Sequence, residues 1–474
     1  MPEKIYNNKI VAKVRNFIDG SLFPIFVGAF ILLFYFLRLH IVALAVLAFL
    51  VSLILLFCKD IRPAIPEVVL SHLVLCHYYG EIGVGSYLKT SSIVVYCVFG
   101  AMVLGSLAFN LIAYRKGRKL QKSKIGTGLL CMCCAFLFGG IFSKYYAINN
   151  FLTGLVFTGA YFVVYAVFFV AMEHRADNLR YVAIVCCVSA SVVICQIAHI
   201  YAVKYTAGMA LDNDWKSLIV AGWGISNTLG EFLAMFFPAV FYLIYKEKRG
   251  YLYYILLVLM AIALFFTLCR AGILFGGGAF VVCSVIVCLK GENKKINRII
   301  TAVLGAMCIA VAVVGITPGL LDKVFAFFSD TGMNDRGRFP IWKEWLRLFK
   351  EEPILGVGFR AYRIVHPLAF AINAHNTPIQ MLAGTGIMGF MLYLFHRVET
   401  VKLFTKKPNL ERMFLGGVAL VGVLCSLLDP LFFRAYFAMY YSVCLLAVEK
   451  SLTHDEQEDK ENSEQNEITD EDKK

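Results

Sequence analysis

The sequence predicts an all-α polytopic membrane protein with 12 to 14 transmembrane helices. Of its 474 residues, 59% are hydrophobic, and the mean hydropathy is +0.72. Charged residues make up 16%, against roughly 25% in soluble domains. The apolar residues form continuous runs of about 20, the length that crosses a hydrocarbon core of roughly 30 Å. These observations exclude a soluble globular chain, a disordered chain and a transmembrane β-barrel.

Fourteen apolar runs bounded by charged residues are candidate spans. They cover residues 21–38, 40–58, 64–79, 91–114, 125–143, 151–172, 180–202, 228–245, 251–269, 271–289, 298–316, 378–396, 412–428 and 432–449. The run at 64–79 is short and contains Pro66 and Glu67, so it is a candidate re-entrant segment. The last two runs lie close together in the sequence. We therefore expect 12 to 14 spans.

Lysine and arginine collect in alternate short connections, such as residues 115–124, and this bias places both termini in the cytoplasm. The expected organisation is a cytoplasmic leader (1–20), a transmembrane bundle (21–316), an extracytoplasmic loop (317–377), C-terminal transmembrane helices (378–449) and an acidic cytoplasmic tail (450–474). The tail has 10 acidic and 4 basic residues, and almost no apolar ones, which predicts disorder.

The net charge of +13 does not indicate nucleic-acid binding, because the basic residues lie between apolar runs and no nucleic-acid motif is present. The 15 cysteines fall inside or beside the spans, as small apolar packing residues do. Neither they nor the scattered histidines have metal-ligand spacing, so we expect no metal and no cofactor.

The long outer loop contains a predicted amphipathic helix. Pro340 suits a first helical turn, and Pro353 ends the pattern. One side carries Ile341, Trp342, Trp345, Leu346 and Phe349, and the other carries Lys343, Glu344, Arg347, Lys350 and Glu351. Tryptophan prefers the membrane interface, so we expect this helix to hold the loop over the bundle as a lid.

Two sets of arginines are candidate ligands for a diphosphate. Arg270 is the one charged residue between 251 and 289, and an arginine deep in a membrane costs about 2.5–3.5 kcal/mol. It either faces a polar ligand or caps a tight connection between two spans. The outer loop adds Arg336, Arg338, Arg347, Arg360 and Arg363. Guanidinium groups bind phosphate oxygens bidentately, although a solvated loop face explains these five equally well.

His375 and Asn376 stand where the outer loop enters the next span. An imidazole titrates near pH 6.5, so it can accept a proton from an attacking hydroxyl. A lone histidine near a membrane face is otherwise a structural residue. Weaker candidates for the same role are His366 and the acidic cluster around Asp212 and Asp214.

The combination of motifs resembles the O-antigen ligase and polymerase superfamily of bacterial membrane glycosyltransferases. The stretch RFPIWKEWLRLFKEEPILGVGFRAY carries the superfamily's arginine, its Trp-containing helix and a Pro-x-x-Gly-x-Gly turn. The stretch AHNTPIQMLAGTGIMG carries a His-Asn pair, then nine intervening residues, then Gly386 and Gly389. Upstream, SNTLGEFLAMFFP resembles an Asn-containing span through Asn227, and TLCRAG resembles a Ser-Arg element through Arg270, with Cys269 in place of the serine.

The resemblance implies a metal-independent glycosyltransferase of the bacterial cytoplasmic membrane. Its donor would be an undecaprenyl-diphosphate-linked glycan, and its acceptor a hydroxyl of a glycan or lipid on the outer face. The implied catalytic residues are His375 and Arg270. The implied substrate-binding residues are Arg336, Arg338, Arg360, Asn376 and Asn227. The alternative is a transporter or flippase for polysaccharide or lipid-linked glycan, which also needs many spans and a basic outer cavity.

Overall fold

The computed structural model describes residues 9–76, 90–115, 118, 121–208, 219–315, 338–359 and 373–471. Within these ranges most of the chain is helical, and the strands found there form one small antiparallel hairpin of β1 (Val220–Ala221) and β2 (Gly224–Ile225). The first helices are α1 (Lys9–Asp19), α2 (Leu22–Phe36), α3 (His40–Phe57), α4 (Ala64–Leu70), α5 (Thr90–Ala113), α6 (Gly126–Phe138), α7 (Ile148–Ala171) and α8 (Asn178–Thr206). After the hairpin come α9 (Ser226–Lys246), α10 (Tyr254–Thr267), α11 (Gly272–Lys290), α12 (Lys294–Gly315), α13 (Arg338–Glu351), α14 (Thr377–Thr405), α15 (Leu410–Cys425) and α16 (Ala435–Glu471).

Eight helices in the described ranges are long and apolar enough to cross a membrane. The bent pair Ala12–Asp19 and Leu22–Phe36 makes a ninth if it forms one span. The chain is thus an all-α multi-pass membrane protein, as predicted, but the expected 12 to 14 spans exceed those that qualify. The runs at 64–79, 125–143 and 412–428 form α-helices of 7, 13 and 16 residues, because turns, irregular backbone and one short 3-10 segment occupy the other described residues of each run.

Helix α9 is the centre of the bundle. It packs against α8, α10, α11 and α15, and 94% of its most apolar window is buried. Gly272 and Gly276 of α11 permit this contact, because a Cβ on Gly272 would lie 2.9 Å from the carbonyl oxygen of Gly230 and one on Gly276 would lie 2.8 Å from the Cβ of Ala234. The close packing fixes the N-terminal end of α9, which begins with Ser226 and Asn227.

The acidic tail is helical through Glu471, whereas its composition predicted disorder from residue 450. Helix α16 continues without a break from the bundle into the tail. Glu456 lies 2.8 Å from the Nζ of Lys124 and 2.9 Å from that of Lys406, and Asp455 pairs with Arg412 at 2.5 Å. These ion pairs attach the acidic segment to basic connections of the bundle, which composition alone does not reveal.

The amphipathic helix of the outer loop is present as α13. Its Trp345 and Leu348 are buried in a small apolar cluster with Val357, Ala374 and Ala383. At its outer surface, Glu351 accepts a hydrogen bond of 2.8 Å from the hydroxyl of Tyr145. The helix is therefore attached on one side to the segment that follows α6 and on the other to the segment that precedes α14.

Candidate active site

Asp429 connects two of the predicted site residues. Its Oδ1 lies 3.3 Å from Nδ1 of His375, and its Oδ2 accepts a hydrogen bond of 2.7 Å from Nδ2 of Asn227. The carboxylate thus joins the start of α9, the segment before α14 and the connection between α15 and α16. The side chain of His375 is 31% exposed and that of Asp429 is 10% exposed. An accessible imidazole on a nearly buried carboxylate can exchange a proton with a bound molecule through Nε2.

The backbone at His375 has a left-handed conformation, with φ of 51°. Its neighbour Ala374 is held at both backbone groups, since its N–H donates to Oε1 of Gln380 at 3.1 Å and its carbonyl accepts from Nε1 of Trp342 at 2.8 Å. On the other side, the N–H and hydroxyl of Thr377 both donate to the carbonyl of Ser426, at 3.0 and 2.9 Å. These contacts fix the imidazole relative to Asp429 before any substrate binds.

Asn376 is the N-cap of α14. Its Oδ1 accepts from the N–H of Ile379 at 3.0 Å, which satisfies one of the unpaired donors of the first turn. Its Nδ2 donates to the carbonyl of Leu427 at 3.2 Å. Asn376 therefore helps to hold the connection that carries Asp429. Its predicted contact with substrate stays a prediction.

Arg270 lies in the tight turn between α10 and α11. The hydroxyl of Ser226 donates to the carbonyl of Thr267, which fixes this turn to the start of α9. Cys269 takes the part of a capping residue, since its Sγ accepts from the N–H of Gly272 at 3.3 Å. The thiol of Cys269 is thus the acceptor in this local contact. The turn is anchored on the residue next to Asn227, so Arg270 belongs to the same end of the bundle as Asp429.

The structure describes only some of the arginines that the sequence analysis assigned to the outer loop. Arg338 begins α13 and is half-buried. Arg336 and Arg360 lie outside the described residues, as do Arg363, His366, Asp212 and Asp214. Arg347 instead forms ion pairs with Glu344 and Glu351 on its own helix. The hydrogen bond from Tyr145 and the positive charges of Arg347 and Lys144 lower the pKa of Glu351.

The two glycine motifs form one interlocked unit. Helix α14 is broken at Gly386, where φ is 65° and ψ is −173°. The turn at residues 353–358 fits into this break, and Val357 and Gly358 donate to the carbonyls of Ala383 and Gly384 at 2.9 and 2.8 Å. In return, the N–H of Ile387 donates to the carbonyl of Pro353 at 2.9 Å, which satisfies backbone groups that a broken helix leaves open. The motif glycines support the site rather than line it.

Sequence reasoning missed Asp429 and the residues that fix His375. In the sequence, Asp429 is the single acidic residue in LLDPLFF, between two apolar runs. This position indicates only a connection between two spans. A carboxylate that is nearly buried beside membrane spans is itself a signal for a functional group. No group of three or more His, Cys, Asp or Glu residues that could hold a metal ion is found in the ranges that the structure describes.

Comparison with known proteins identifies the central part of the chain. The family model described as O-Antigen ligase matches residues 255–394, a range that contains Arg270, α13, the interlocked turn and His375. No curated protein matches the chain. The match confirms the resemblance found in the sequence, and supports an O-antigen ligase-like glycosyltransferase function with lipid-linked glycan substrates. Residues 255–394 of this multi-pass membrane protein are therefore similar to the O-antigen ligase family.

Proposed function

We propose that this protein transfers a glycan from an undecaprenyl-diphosphate donor to an acceptor hydroxyl on the outer face of the bacterial cytoplasmic membrane. The observation that carries the proposal is the pairing of a partly exposed His375 with Asp429 at 3.3 Å. An imidazole oriented by a carboxylate is suited to general-base catalysis. The family match supports glycosyl transfer as the reaction class, and His375 with Asp429 can provide the general base for it.

His375 acts at the acceptor. Asp429 accepts a hydrogen bond from the protonated Nδ1, so that Nε2 can take the proton from the acceptor hydroxyl. The hydroxyl oxygen forms the new bond to the anomeric carbon of the donor glycan. The bond from that carbon to the diphosphate oxygen breaks, and the diphosphate leaves with the electron pair. Asp429 stabilises the imidazolium that results.

Arg270 acts at the donor, together with Arg338 and with Arg336 and Arg360 of the outer loop. A guanidinium fork holds phosphate oxygens and stabilises the negative charge that develops on the leaving group, so no metal ion is required in this mechanism. Asn227 binds the sugar. Its Nδ2 is used on Asp429, whereas its Oδ1 is buried and has no hydrogen-bond partner among the described residues, which leaves an acceptor for a sugar hydroxyl.

The test measures transfer and donor binding separately, with purified protein and a lipid-linked glycan. We expect His375→Ala to abolish transfer and to leave donor binding within about twofold of the unmodified protein. Asp429→Asn keeps the size of the side chain and removes its charge, so transfer should fall about 10–100-fold, as when an orienting partner is lost. His199→Ala is the matched control, because His199 lies on α8 and contacts Tyr35 instead of the site.

Near-normal transfer by His375→Ala would overturn the general-base role. If that variant also moved lipid-linked glycan across vesicles at the unmodified rate, the transporter alternative would replace the proposal.

A further inference from the structure

Helix α1 makes a sharp corner with α2, which itself runs beside a membrane span. Residues Ala12–Asp19 form an angle of 78° with Leu22–Phe36. Helix α8 is long and apolar enough to cross a membrane. Contacts between the α2 segment and α8 succeed one another along both: Ser21 with Arg180, Gly28 with Val188, and Tyr35 with His199. Because α2 follows α8 across the membrane, α1 lies close to the membrane plane.

Two arginines of the bundle hold this corner. Arg62 is 1% exposed, and it donates from Nη2 to the carbonyl of Asp19 at 3.1 Å and from Nη1 to a carboxylate oxygen of Asp177 at 2.6 Å. Arg180 donates from Nη1 to the hydroxyl of Ser21 at 2.7 Å. The bundle therefore sets the direction of α1, and the sides of this helix keep fixed orientations.

The apolar side of α1 is exposed and continues an exposed apolar side of α2. Val14 is 55% exposed and Phe17 is 42% exposed. The ring centroid of Phe17 lies 6.0 Å from that of Phe26, an exposed residue of α2. A helix in the membrane plane buries such a side at the boundary between headgroups and acyl chains. We therefore expect Val14 and Phe17 to contact lipid.

Basic residues border this apolar side. Lys13 is exposed, and it stands one position before Val14 and about one helical turn before Phe17. A lysine at such an edge lays its stem along the apolar surface and keeps its ammonium group in water. The leader as a whole is basic, with Lys4, Lys9, Lys13 and Arg15 against Glu3 and Asp19. A positive charge held at this depth attracts an anionic headgroup.

Helix α1 and the candidate active site lie at opposite ends of α8. Arg180, which contacts the corner, is near the start of α8. Near the other end of α8, the hydroxyl of Tyr201 donates to the carbonyl of Phe266 at 2.6 Å, four residues before Arg270. Helix α1 thus belongs to the other leaflet, which is the cytoplasmic one on the predicted topology. The lipid that α1 contacts takes no part in the proposed transfer.

We propose that α1 binds anionic phospholipid in the leaflet opposite the candidate active site. Val14 and Phe17 enter the acyl-chain boundary, and Lys13 pairs with the headgroup phosphate. The charge selects phosphatidylglycerol over phosphatidylcholine, because the choline group carries a positive charge of its own. This inference goes beyond the proposed function and does not depend on it.

The test places p-benzoylphenylalanine at Val14 of the full-length protein, in vesicles of equal parts phosphatidylglycerol and phosphatidylcholine. After illumination, mass spectrometry gives the ratio of the two lipid adducts. We expect at least about fivefold more phosphatidylglycerol adduct, and a ratio about fivefold lower in Lys13→Gln, because one basic residue near an anionic surface contributes about that factor. Lys248→Gln is the matched control. It removes an exposed lysine at the same end of the bundle, beside the ion pair of Glu247 with Arg180, and should leave the ratio unchanged.

Equal yields of the two adducts, or equal effects of Lys13→Gln and Lys248→Gln, would overturn the inference. An adduct with a second copy of the chain in place of lipid would also overturn it, and would assign α1 to a protein interface. Thermal unfolding of each variant verifies that the fold is intact. Glycan transfer by the unmodified protein is measured in the same vesicles. Absence of transfer with the expected adduct ratios would overturn the proposed function alone.

Discussion

Trp342 of the amphipathic helix donates a hydrogen bond of 2.8 Å to the carbonyl of Ala374, the residue directly before His375. The amphipathic helix α13 thus holds the backbone of the proposed catalytic histidine. Helix α13 and the site are coupled, because a displacement of α13 also moves the Ala374 peptide that orients the imidazole. The consequence can be tested without changing the site itself.

Trp342→Phe should lower kcat about three- to tenfold, because it removes a hydrogen bond worth roughly 0.5–1.5 kcal/mol and keeps an aromatic ring at the interface. KM for the donor should change less than kcat, since Arg270 lies outside α13 and Arg338 is the one proposed donor ligand that this helix carries. Transfer kinetics at matched protein levels measure both values. Leu346→Ala, at an exposed position of the same helix, is the control. Unchanged kcat in Trp342→Phe would show that α13 is not needed to position His375.

Arg270→Lys should reduce donor binding about 10–100-fold, because lysine keeps the charge and loses the planar fork that binds two phosphate oxygens. Binding of undecaprenyl diphosphate to purified protein measures the effect. Arg249→Lys is the control, at an exposed position in the connection before α10. If Arg270→Lys binds the lipid normally, the arginine only caps the connection between α10 and α11.

Gly386→Ala should destabilise the protein by about 2–3 kcal/mol, because residue 386 has positive φ and a Cβ there would lie 2.2 Å from the carbonyl oxygen of Ile354. Thermal unfolding of the purified protein gives the shift. Gly278→Ala is the control, since its Cβ meets nothing within 4 Å in a helix and should be neutral or slightly stabilising. Equal unfolding temperatures for the two variants would show that the turn does not need the helix break.

The attachment of the tail should depend on pH. Burial raises the pKa of Glu456, but hydrogen bonds and charges from Lys124 and Lys406 outweigh this and lower it from 4.5 to about 2. A depressed pKa stabilises the folded state above pH 4.5, and this contribution is lost as the pH falls from 4.5 towards 2. Unfolding temperatures of the unmodified protein and of Glu456→Gln should therefore differ at pH 6 and converge near pH 2. A constant difference across this range would contradict the ion pairs.

Sequence patterns predicted what depends on local order along the chain. The prolines at 340 and 353 bracket α13 as expected, and His375 and Asn376 stand at the start of α14. Composition could not predict partners that are distant in sequence. Asp429 is 54 residues from His375 and 202 from Asn227, so its role follows only from the folded bundle. The same reason explains the tail, whose helix is attached by basic residues far upstream.

The position of Asp429 in the chain has a consequence for biogenesis. The ribosome makes His375 54 residues before this carboxylate, and the turn at Gly140, whose N–H donates to the carbonyl of Leu355 at 2.7 Å, is made still earlier. Every nascent chain therefore passes through a stage in which most helices are inserted while the imidazole still lacks its acidic partner. On the proposed function, unfinished copies are therefore inactive, and a chain that stops at the end of α15 is released without the carboxylate that completes the site.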